Sequence, residues 1–210
     1  MDYSTSYQNI AATAKALQRK VAVLGAKNVG KTTFTVRFVE SRFVESYYPT
    51  IENHFTKLIR LKNHNFTLEI LDTAGQDEVS LLNLKSLVGV KGIILCYNVV
   101  NRNSFDLIPI IWDKLVDQLG YDNIPVILVG NKIDLRLNAD NRNIVAAEEG
   151  EKLANMICSS DKKLRAEFME CSAKDDINIE EAVMLLLKKM EAAEGSGGFD
   201  PNSSNKCNIM

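Results

Sequence analysis

The stretch Gly25-Ala26-Lys27-Asn28-Val29-Gly30-Lys31-Thr32 decides the fold, because it fits the P-loop pattern G-x-x-x-x-G-K-[ST]. The apolar run at residues 20–24 predicts a short buried strand before it, and Phe34, Phe38 and Val39 have helical spacing after it. The pattern therefore lies between a strand and a helix, which is the context that phosphate binding requires. A glycine-containing turn with a solvent-exposed lysine is the simpler alternative, and this context argues against it.

The P-loop residues have separate expected roles around a nucleotide. Gly25 and Gly30 let backbone N–H groups turn towards the phosphates, and the start of the following helix adds positive potential at the same place. Lys31 is expected to reach the terminal phosphates, and the Thr32 hydroxyl is expected to bind Mg²⁺.

Composition excludes several classes of protein. The chain has 210 residues and a formal net charge of −2, which suits one domain with tails, or two very small domains, and gives no support for nucleic-acid binding. No apolar run approaches the roughly 20 residues of a membrane-spanning helix. Residues 1–19 lack the apolar core of a signal peptide and, since Asp2 follows Met1, the glycine needed for myristoylation.

Cysteine and histidine positions indicate neither disulfides nor a metal cluster. The four cysteines, Cys96, Cys158, Cys171 and Cys207, have no paired spacing, so free thiols are expected. His54 and His64 form no metal-ligand pair and are predicted to lie at the surface.

Alternating strands and helices predict the fold class. A loop over residues 41–52 precedes a hairpin of strands at 55–61 and 66–71, and later strands are predicted at 92–97, 125–129 and 168–171. Helices are predicted at 146–157 and 179–190, and a third ends at Leu119; it starts at Ser104 or Asp106, with Asp106 favoured because Pro109 is tolerated only in a first turn. This order predicts an α/β fold with a mostly parallel six-stranded sheet, one antiparallel edge strand and helices on both faces.

The predicted domain covers residues 20–193. Residues 1–19 are expected to form a flexible arm, with a short helix over residues 11–18 as an alternative. Residues 194–210 are expected to form a flexible tail, because a Gly/Ser-rich run begins at Gly195.

A second signal follows the hairpin, in Asp72-Thr73-Ala74-Gly75-Gln76. A strand-end aspartate in a P-loop protein binds Mg²⁺, here through a water molecule, so Asp72 is a candidate ligand. Gly75 can approach the terminal phosphate because it has no side chain, and Gln76 can orient an attacking water. An ordinary turn after a strand is the weaker alternative.

Two further signals concern the base. Asn131-Lys132-Ile133-Asp134 follows one predicted strand and Ser172-Ala173-Lys174 follows the next, and ligands in such sheets lie at the carboxyl ends of strands. The Asp134 carboxylate can accept hydrogen bonds from guanine N1–H and its 2-amino group, which adenine does not offer. The Ala173 N–H can donate to guanine O6.

Together these motifs resemble the Ras superfamily of small GTPases and, within it, the Rheb family, in particular its fungal members. The resemblance covers residues 20–190 and the last four residues, and it is supported by Tyr47-Tyr48-Pro49-Thr50-Ile51-Glu52-Asn53 and by residues 72–78. It implies a P-loop small GTPase fold that binds GTP or GDP with Mg²⁺ and hydrolyses GTP slowly.

The resemblance also implies individual roles. Residues 47–52 would form a first switch that orders when Thr50 binds Mg²⁺ and the γ-phosphate, and residues 72–83 would form a second. Phe43 would stack beside guanine, and the Val44 backbone would touch the ribose. The predicted catalytic residues are Gln76, Lys31 and Thr50, and the predicted metal ligands are Thr32, Thr50 and Asp72. The predicted nucleotide contacts are Lys27, Asn28, Val29, Gly30, Lys31, Thr32, Thr33, Phe43, Val44, Tyr47, Thr50, Gly75, Asn131, Lys132, Asp134, Ser172, Ala173 and Lys174.

The chain departs from most Ras relatives at Lys27, where glycine is usual; a basic residue there resembles Rheb. Lys27 is expected to obstruct an arginine supplied by a partner, and the resemblance implies an activating protein that supplies an asparagine instead. A Lys27 side chain that points to solvent without effect is the alternative.

Two predicted loops, residues 136–143 and 158–163, are longer than usual in this family.

The last four residues, Cys207-Asn208-Ile209-Met210, fit a C-a-a-X motif whose final methionine favours farnesylation of Cys207. An unmodified thiol is the alternative. The expected location is the cytoplasmic face of membranes, with a cytosolic pool maintained by a prenyl-binding carrier, because Lys206 is the single basic residue of the tail.

The predicted function is a guanine-nucleotide switch. Expected partners are an activating protein, an exchange factor and an effector kinase complex, with growth and nutrient (TOR) control or basic amino-acid uptake as the implied pathways. A binding module that never hydrolyses GTP usefully and a P-loop kinase acting on a small molecule are the two alternatives.

Overall fold

The computed structural model describes residues 16–45, 49–79, 82–120, 124–139, 141–157 and 166–195. Tyr47, Cys158 and Cys207 lie outside these ranges. Along the chain, the strands are β1 (Leu17–Leu24), β2 (Glu52–Leu61), β3 (His64–Thr73), β4 (Gly92–Asn98), β5 (Val126–Asn131) and β6 (Glu167–Glu170). The helices are α1 (Lys31–Glu40), α2 (Leu84–Leu87), α3 (Arg102–Leu119), α4 (Ala147–Met156) and α5 (Ile179–Gly195), with 3₁₀ helices at Ile133–Asn138 and Asn141–Asn143.

One six-stranded sheet organises these elements in the order β2-β3-β1-β4-β5-β6. β1 pairs in parallel with β3 and β4, and β4, β5 and β6 continue the parallel arrangement. β2 lies at the edge and pairs antiparallel with β3, with Glu52 opposite Thr73 and Leu61 opposite His64. The predicted fold class is confirmed: the sheet has six strands and is mostly parallel. Its one antiparallel pair is the hairpin that the sequence pattern indicated.

Side chains that alternate along the central strands fill cores on the two faces of the sheet. In β1, Ala22 and Leu24 pack on the face covered by α3 and α4, whereas Val21 and Val23 pack on the face covered by α1 and α5. Helices therefore cover both faces, and they leave the carboxyl ends of β1, β3, β4 and β5 together at one edge.

Tyr97 is the largest fully buried side chain of the α3/α4 face. Its ring lies edge-on to Phe105 with centroids 5.0 Å apart, and it stacks on Phe168 at 6.5 Å. These aromatic contacts join β4, α3 and β6.

Helix α3 begins at Arg102, so the predicted start at Ser104 or Asp106 is wrong and Pro109 lies inside the helix. The physical reason is the cap: the Asn101 side chain accepts a hydrogen bond from the Ser104 N–H at 3.2 Å. Packing of Phe105 on Tyr97 and burial of Ile108 keep the turns around Pro109 helical, although proline supplies no N–H to the helix.

Several strands extend beyond their predicted ends. β1 starts at Leu17, so residues 17–19, assigned to the arm, pair with β3; Leu17 and Gln18 are extended, which contradicts the alternative of a helix reaching residue 18. β3 runs through Asp72 to Thr73, and β5 runs to Asn131. The segment predicted as a long loop after β5 contains the two 3₁₀ helices.

The remaining structural predictions concern the exposure of the two histidines and the thiol state of the cysteines. His54 and His64 are exposed, as predicted, and Cys96 and Cys171 are buried free thiols. Within the described ranges, no helix combines the length and apolar character needed to cross a bilayer.

Candidate functional site

The P-loop connects β1 to α1 in a conformation that glycine permits. Gly30 precedes the helix with a positive φ of 95°, and a Cβ built on it would lie 2.5 Å from Asn131 Nδ2. A side chain at this position would therefore be strained and would collide with the Asn131 side chain at the end of β5. Because α1 starts at Lys31, its first backbone N–H groups face the space above the loop, where an anion is favoured.

Lys31 folds back over the P-loop. Its ammonium donates to Gly25 O at 3.0 Å and Ala26 O at 2.9 Å, and the side chain is buried. Burial lowers the pKa of Lys31, and the nearby Cys96 and Asp72 act in the opposite direction. A buried cation of this kind provides positive charge where phosphate oxygens would lie.

The three side chains that were predicted as metal ligands, Thr32, Thr50 and Asp72, lie together beside Lys31. Thr32 Oγ1 lies 2.7 Å from Asp72 Oδ2 and 2.9 Å from Thr50 Oγ1. Asp72 is fully buried, its Oδ1 has no hydrogen-bond partner, and burial raises its pKa. Hydroxyl and carboxylate oxygens are the ligands of a hard divalent cation, and the unpaired Oδ1 leaves an acceptor for it or its water, so this set fits Mg²⁺.

The segment after β3 lies directly on the P-loop. Gln76 N–H donates to Gly25 O at 3.0 Å, and a Cβ on Gly75 would lie 2.5 Å from Lys27 Cα. Gly75 therefore allows this segment to pack closely against the P-loop, and its approach to the terminal phosphate stays a prediction. The Gln76 amide donates to Ala74 O at 3.0 Å, so it bonds its own segment and has to turn to orient a water.

Two lysines hold this segment from opposite sides. Lys27 Nζ lies 3.6 Å from Asp77 Oδ2, and the Lys27 side chain is 65% exposed. From α3, Lys114 Nζ donates to Asp77 O at 3.2 Å and Glu78 O at 2.7 Å. Lys27 thus lies at the P-loop surface and faces the second predicted switch.

The predicted base loops meet in one place. Asp134 Oδ1 accepts a hydrogen bond from Ser172 Oγ at 2.7 Å, which fixes the orientation of the carboxylate. The amide of Asn131 donates to Val29 O at 2.9 Å and accepts from the Ala173 N–H at 3.3 Å. The Ala173 N–H, predicted to donate to guanine O6, is therefore engaged with Asn131 in this structure.

Lys132 ties the same loop to the P-loop. Its ammonium donates to Asn28 O at 2.7 Å, and burial lowers its pKa. Its backbone has a positive φ of 68°, which turns the chain into the 3₁₀ helix that carries Asp134. The base loop and the phosphate loop are thus one connected unit.

The remaining predicted contacts surround this unit. Thr33 is half-buried in the first turn of α1, Lys174 is exposed, and Phe43 and Val44 are half-buried after α1. The Arg37 guanidinium carbon lies 5.9 Å from the centroid of the Phe43 ring. Tyr47 lies outside the described residues.

Sequence reasoning missed Arg37 and Lys114. Neither belongs to a recognised motif, and each acts through backbone carbonyls contributed by a distant segment. The available signal was weak: Arg37 stands between the buried residues Val36 and Phe38, a position that helical periodicity alone assigns to a solvated flank.

A P-loop, a cluster of hydroxyl and carboxylate oxygens beside Lys31, and an Asp134 carboxylate held by Ser172 lie together at the carboxyl edge of one α/β sheet, which is the arrangement of a P-loop nucleotide-binding protein. The sequence model of the Ras family matches residues 20–192. The chain therefore belongs to the Ras family.

Relatives narrow the assignment. The chain is 64% identical to the GTP-binding protein RHB1 of Saccharomyces cerevisiae, with 100% of both chains covered. It is 42% identical to the small monomeric GTPase RhbA of Aspergillus fumigatus, over 92% of this chain and 97% of that one. It is 38% identical to the GTP-binding protein Rheb of Homo sapiens, over 91% and 97%.

The predicted resemblance is thereby confirmed. The protein is a Rheb-like small GTPase: it binds guanine nucleotide, hydrolyses GTP to GDP and phosphate, and acts as a switch with regulators and effectors. Membership of this family also sets aside the alternative of a P-loop kinase acting on a small molecule.

Proposed function

We propose that this GTPase is a slow, Mg²⁺-dependent switch whose nucleotide state controls a growth or nutrient pathway from a membrane surface. The observation that carries the proposal is the meeting of the Thr32, Thr50 and Asp72 oxygens beside the buried Lys31 ammonium. Thr50 belongs to the first predicted switch, so a site that includes its hydroxyl links nucleotide state to the shape of the surface.

Thr32, Thr50 and Asp72 would hold Mg²⁺. When bound, Mg²⁺ neutralises charge on the β- and γ-phosphate oxygens. Lys31 adds a fixed positive charge, and its carbonyl partners on the P-loop keep its ammonium in place. Loss of the γ-phosphate removes the reason for Thr50 to remain ordered, which releases the first switch.

Hydrolysis by this chain alone is expected to be slow. Gln76, the proposed water-positioning residue, donates its amide to Ala74 O and has to leave that bond before it can orient water. The described parts of the two predicted switches, residues 49–52 and 72–79 with 82–83, contain no arginine to act in cis. A group from an activating protein would supply the missing stabilisation, and arginines in this role contribute about 10³–10⁵ in kcat.

Effectors and regulators are proposed to act at the switches. A GTP-dependent surface around Thr50 and Gly75 would bind an effector kinase complex, with TOR control as the first pathway and basic amino-acid uptake as the second. An exchange factor would open the same region to release GDP. The family resemblance supports these partners, and the described contacts support the surface that they would use.

Membrane attachment is proposed to depend on Cys207. A farnesyl group there would give marginal, reversible binding, because one lipid chain without a polybasic patch anchors weakly. The protein would then occupy the cytoplasmic face of membranes and a cytosolic pool, exchanged by a prenyl-binding carrier.

A nucleotide-exchange assay tests the core of the proposal. Fluorescent GDP would be displaced by unlabelled GDP but not by ADP, and chelation of Mg²⁺ by EDTA would accelerate its release. Thr32→Ala would reduce this EDTA effect because one metal ligand is lost, whereas Thr56→Ala, an exposed threonine on β2, would not. Equal displacement by ADP, or an EDTA response that survives in Thr32→Ala, would contradict the proposed site.

The sequence alone also left open a binding module that never hydrolyses GTP usefully, and membership of the small GTPases argues against it. Single-turnover hydrolysis of bound GTP, with and without an activating protein, separates it from the switch. Acceleration by the activating protein supports the switch, and absence of turnover in both conditions supports the binding module.

A further inference from the structure

Arg37 contacts two parts of the predicted guanine site that are far apart in the chain, the Ala173-Lys174 loop and the Phe43 ring. From the second turn of α1, its Nε donates to Ala173 O at 2.8 Å and its Nη2 donates to Lys174 O at 2.9 Å. Its guanidinium carbon lies 5.9 Å from the centroid of the Phe43 ring. The Arg37 side chain is only 14% exposed, so these contacts are largely sheltered from solvent.

The fork geometry of arginine suits this arrangement. Two N–H groups of one planar guanidinium reach the carbonyls of adjacent residues, whereas a lysine would offer one point charge. Hydrogen bonds from a charged donor to carbonyls are stronger than neutral ones, and a cation over an aromatic face adds a further attraction. Asp176 Oδ1, 4.0 Å from Nε, places a carboxylate on the same side.

Both groups that Arg37 holds were assigned to guanine and not to the phosphates. Ala173 and Lys174 form the loop after β6 that is expected to face the base edge, and Phe43 is expected to stack on the base plane. Arg37 itself lies on α1 behind them. Its contacts therefore fix the two walls of the base pocket relative to the helix that begins at Lys31.

We propose that Arg37 is a positioning residue that slows the release of guanine nucleotide by fastening the Ala173-Lys174 loop and Phe43 to α1. The proposal rests on the proposed function, because it assumes that guanine binds between these walls. Without Arg37, the loop and the Phe43 ring move independently and the base leaves more readily. The hydrolytic step is unaffected, since Arg37 contacts no group placed at the phosphates.

The test is the dissociation rate of a fluorescent GDP analogue from the full-length protein, purified with Mg²⁺ and GDP and chased with excess GDP. Arg37→Ala is expected to release the analogue about tenfold faster, which corresponds to about 1.4 kcal/mol. Arg37→Lys is expected to be intermediate, because it keeps the charge and loses the fork. Single-turnover hydrolysis of bound GTP by both variants is expected to match that of the original chain.

Arg102→Ala is the matched control. Arg102 is also a forked arginine, donating to Ile144 O at 2.8 Å and to both carboxylate oxygens of Glu149, but it contacts none of the predicted base residues. Its variant should release GDP at the original rate. Equal acceleration by Arg102→Ala, or release from Arg37→Ala at the original rate, would overturn the proposal.

A double-mutant cycle with Phe43→Leu tests the mechanism. If Arg37 acts partly through Phe43, then Arg37→Ala accelerates release less in the Phe43→Leu background than in the original chain. Fully additive effects would overturn the Phe43 part of the proposal. Failure of the unmodified protein to bind the GDP analogue would contradict the proposed function itself, so the two failures remain distinguishable.

Discussion

Removal of the Tyr97 hydroxyl should make this protein more stable. Tyr97 is completely buried, and its hydroxyl has no hydrogen-bond partner. Its surroundings are tight: a Cβ built on Gly130 would lie 2.9 Å from the hydroxyl oxygen, and one built on Gly150 would lie 2.8 Å from it. Burial also raises the pKa of Tyr97, as expected for a phenol kept from water.

The change in folding free energy expected for Tyr97→Phe is the sum of two opposing effects. A buried, unpaired hydroxyl costs about 1–3 kcal/mol of folding free energy, which Tyr97→Phe would recover. The missing oxygen leaves a void of about 12 Å³, which costs about 0.3 kcal/mol at about 24 cal/mol per Å³. The net gain is about 1 kcal/mol or more, which raises Tm by about 2–4 °C in a chain of this length.

Thermal unfolding in saturating Mg²⁺ and GDP measures this gain, because equal nucleotide occupancy removes ligand binding as a variable. Ser104→Ala is the control of opposite sign: Ser104 Oγ donates to Asn101 O at 2.7 Å and accepts from the Asn98 N–H at 3.0 Å. Its removal takes the Ser104 Oγ acceptor from the Asn98 N–H, whereas Asn101 O keeps the Ser104 N–H as a donor at 3.0 Å, so Ser104→Ala should lower Tm. A lower Tm for Tyr97→Phe would refute the reasoning, because it would mean that the hydroxyl is paired.

Three further predictions concern the switch itself. Asp134→Asn presents a donor to guanine's donors and loses charge-assisted bonds worth about 1.5–3 kcal/mol each, so it should weaken GDP binding and admit xanthine nucleotides in competition assays. Unchanged GDP affinity would place the base elsewhere. Lys27→Gly should gain hydrolysis in response to Ras-type activating proteins, because it removes the side chain at the entrance beside Asp77; a response equal to that of the original chain would mean that Lys27 obstructs nothing. In cell fractionation the original chain should divide between membrane and soluble pools and Cys207→Ser should be soluble; identical distributions would mean that no functional lipid is attached, and salt-resistant binding of the whole pool would mean a second anchor.

The architecture could be predicted because its signals are local. Apolar alternation in the hairpin and short apolar runs elsewhere define strands, and Asp72, Asn131 and Ser172 stand where those strands end. Because parallel strands bring their carboxyl ends to one edge, order along the chain is enough to predict that these residues meet. The side chains predicted for the metal and for the base are brought together in this way, and their binding roles stay predictions.

What could not be predicted depends on contacts between distant segments. The predicted start of α3 is wrong because it rests only on the preference of proline for the first turn of a helix. The Asn101 cap and the packing of Phe105 on Tyr97 outweigh that preference. The Gln76 amide bonds Ala74 O, an orientation that residue type does not determine. Arg37 reaches carbonyls that are 136 and 137 positions away in sequence, and a charged residue on a helix flank gives no sign of such partners.

The ion pairs of Arg19 determine where the folded domain ends in space. Arg19, near the start of β1, binds Glu191 and Glu194 in the last turns of α5, at 2.7 and 2.6 Å. The P-loop follows the other end of β1, and an eight-residue strand is about 26 Å long. The last described helix therefore ends on the side of the sheet away from the P-loop, so a lipid on Cys207, as proposed above, would tether the domain from the side opposite its phosphate loop.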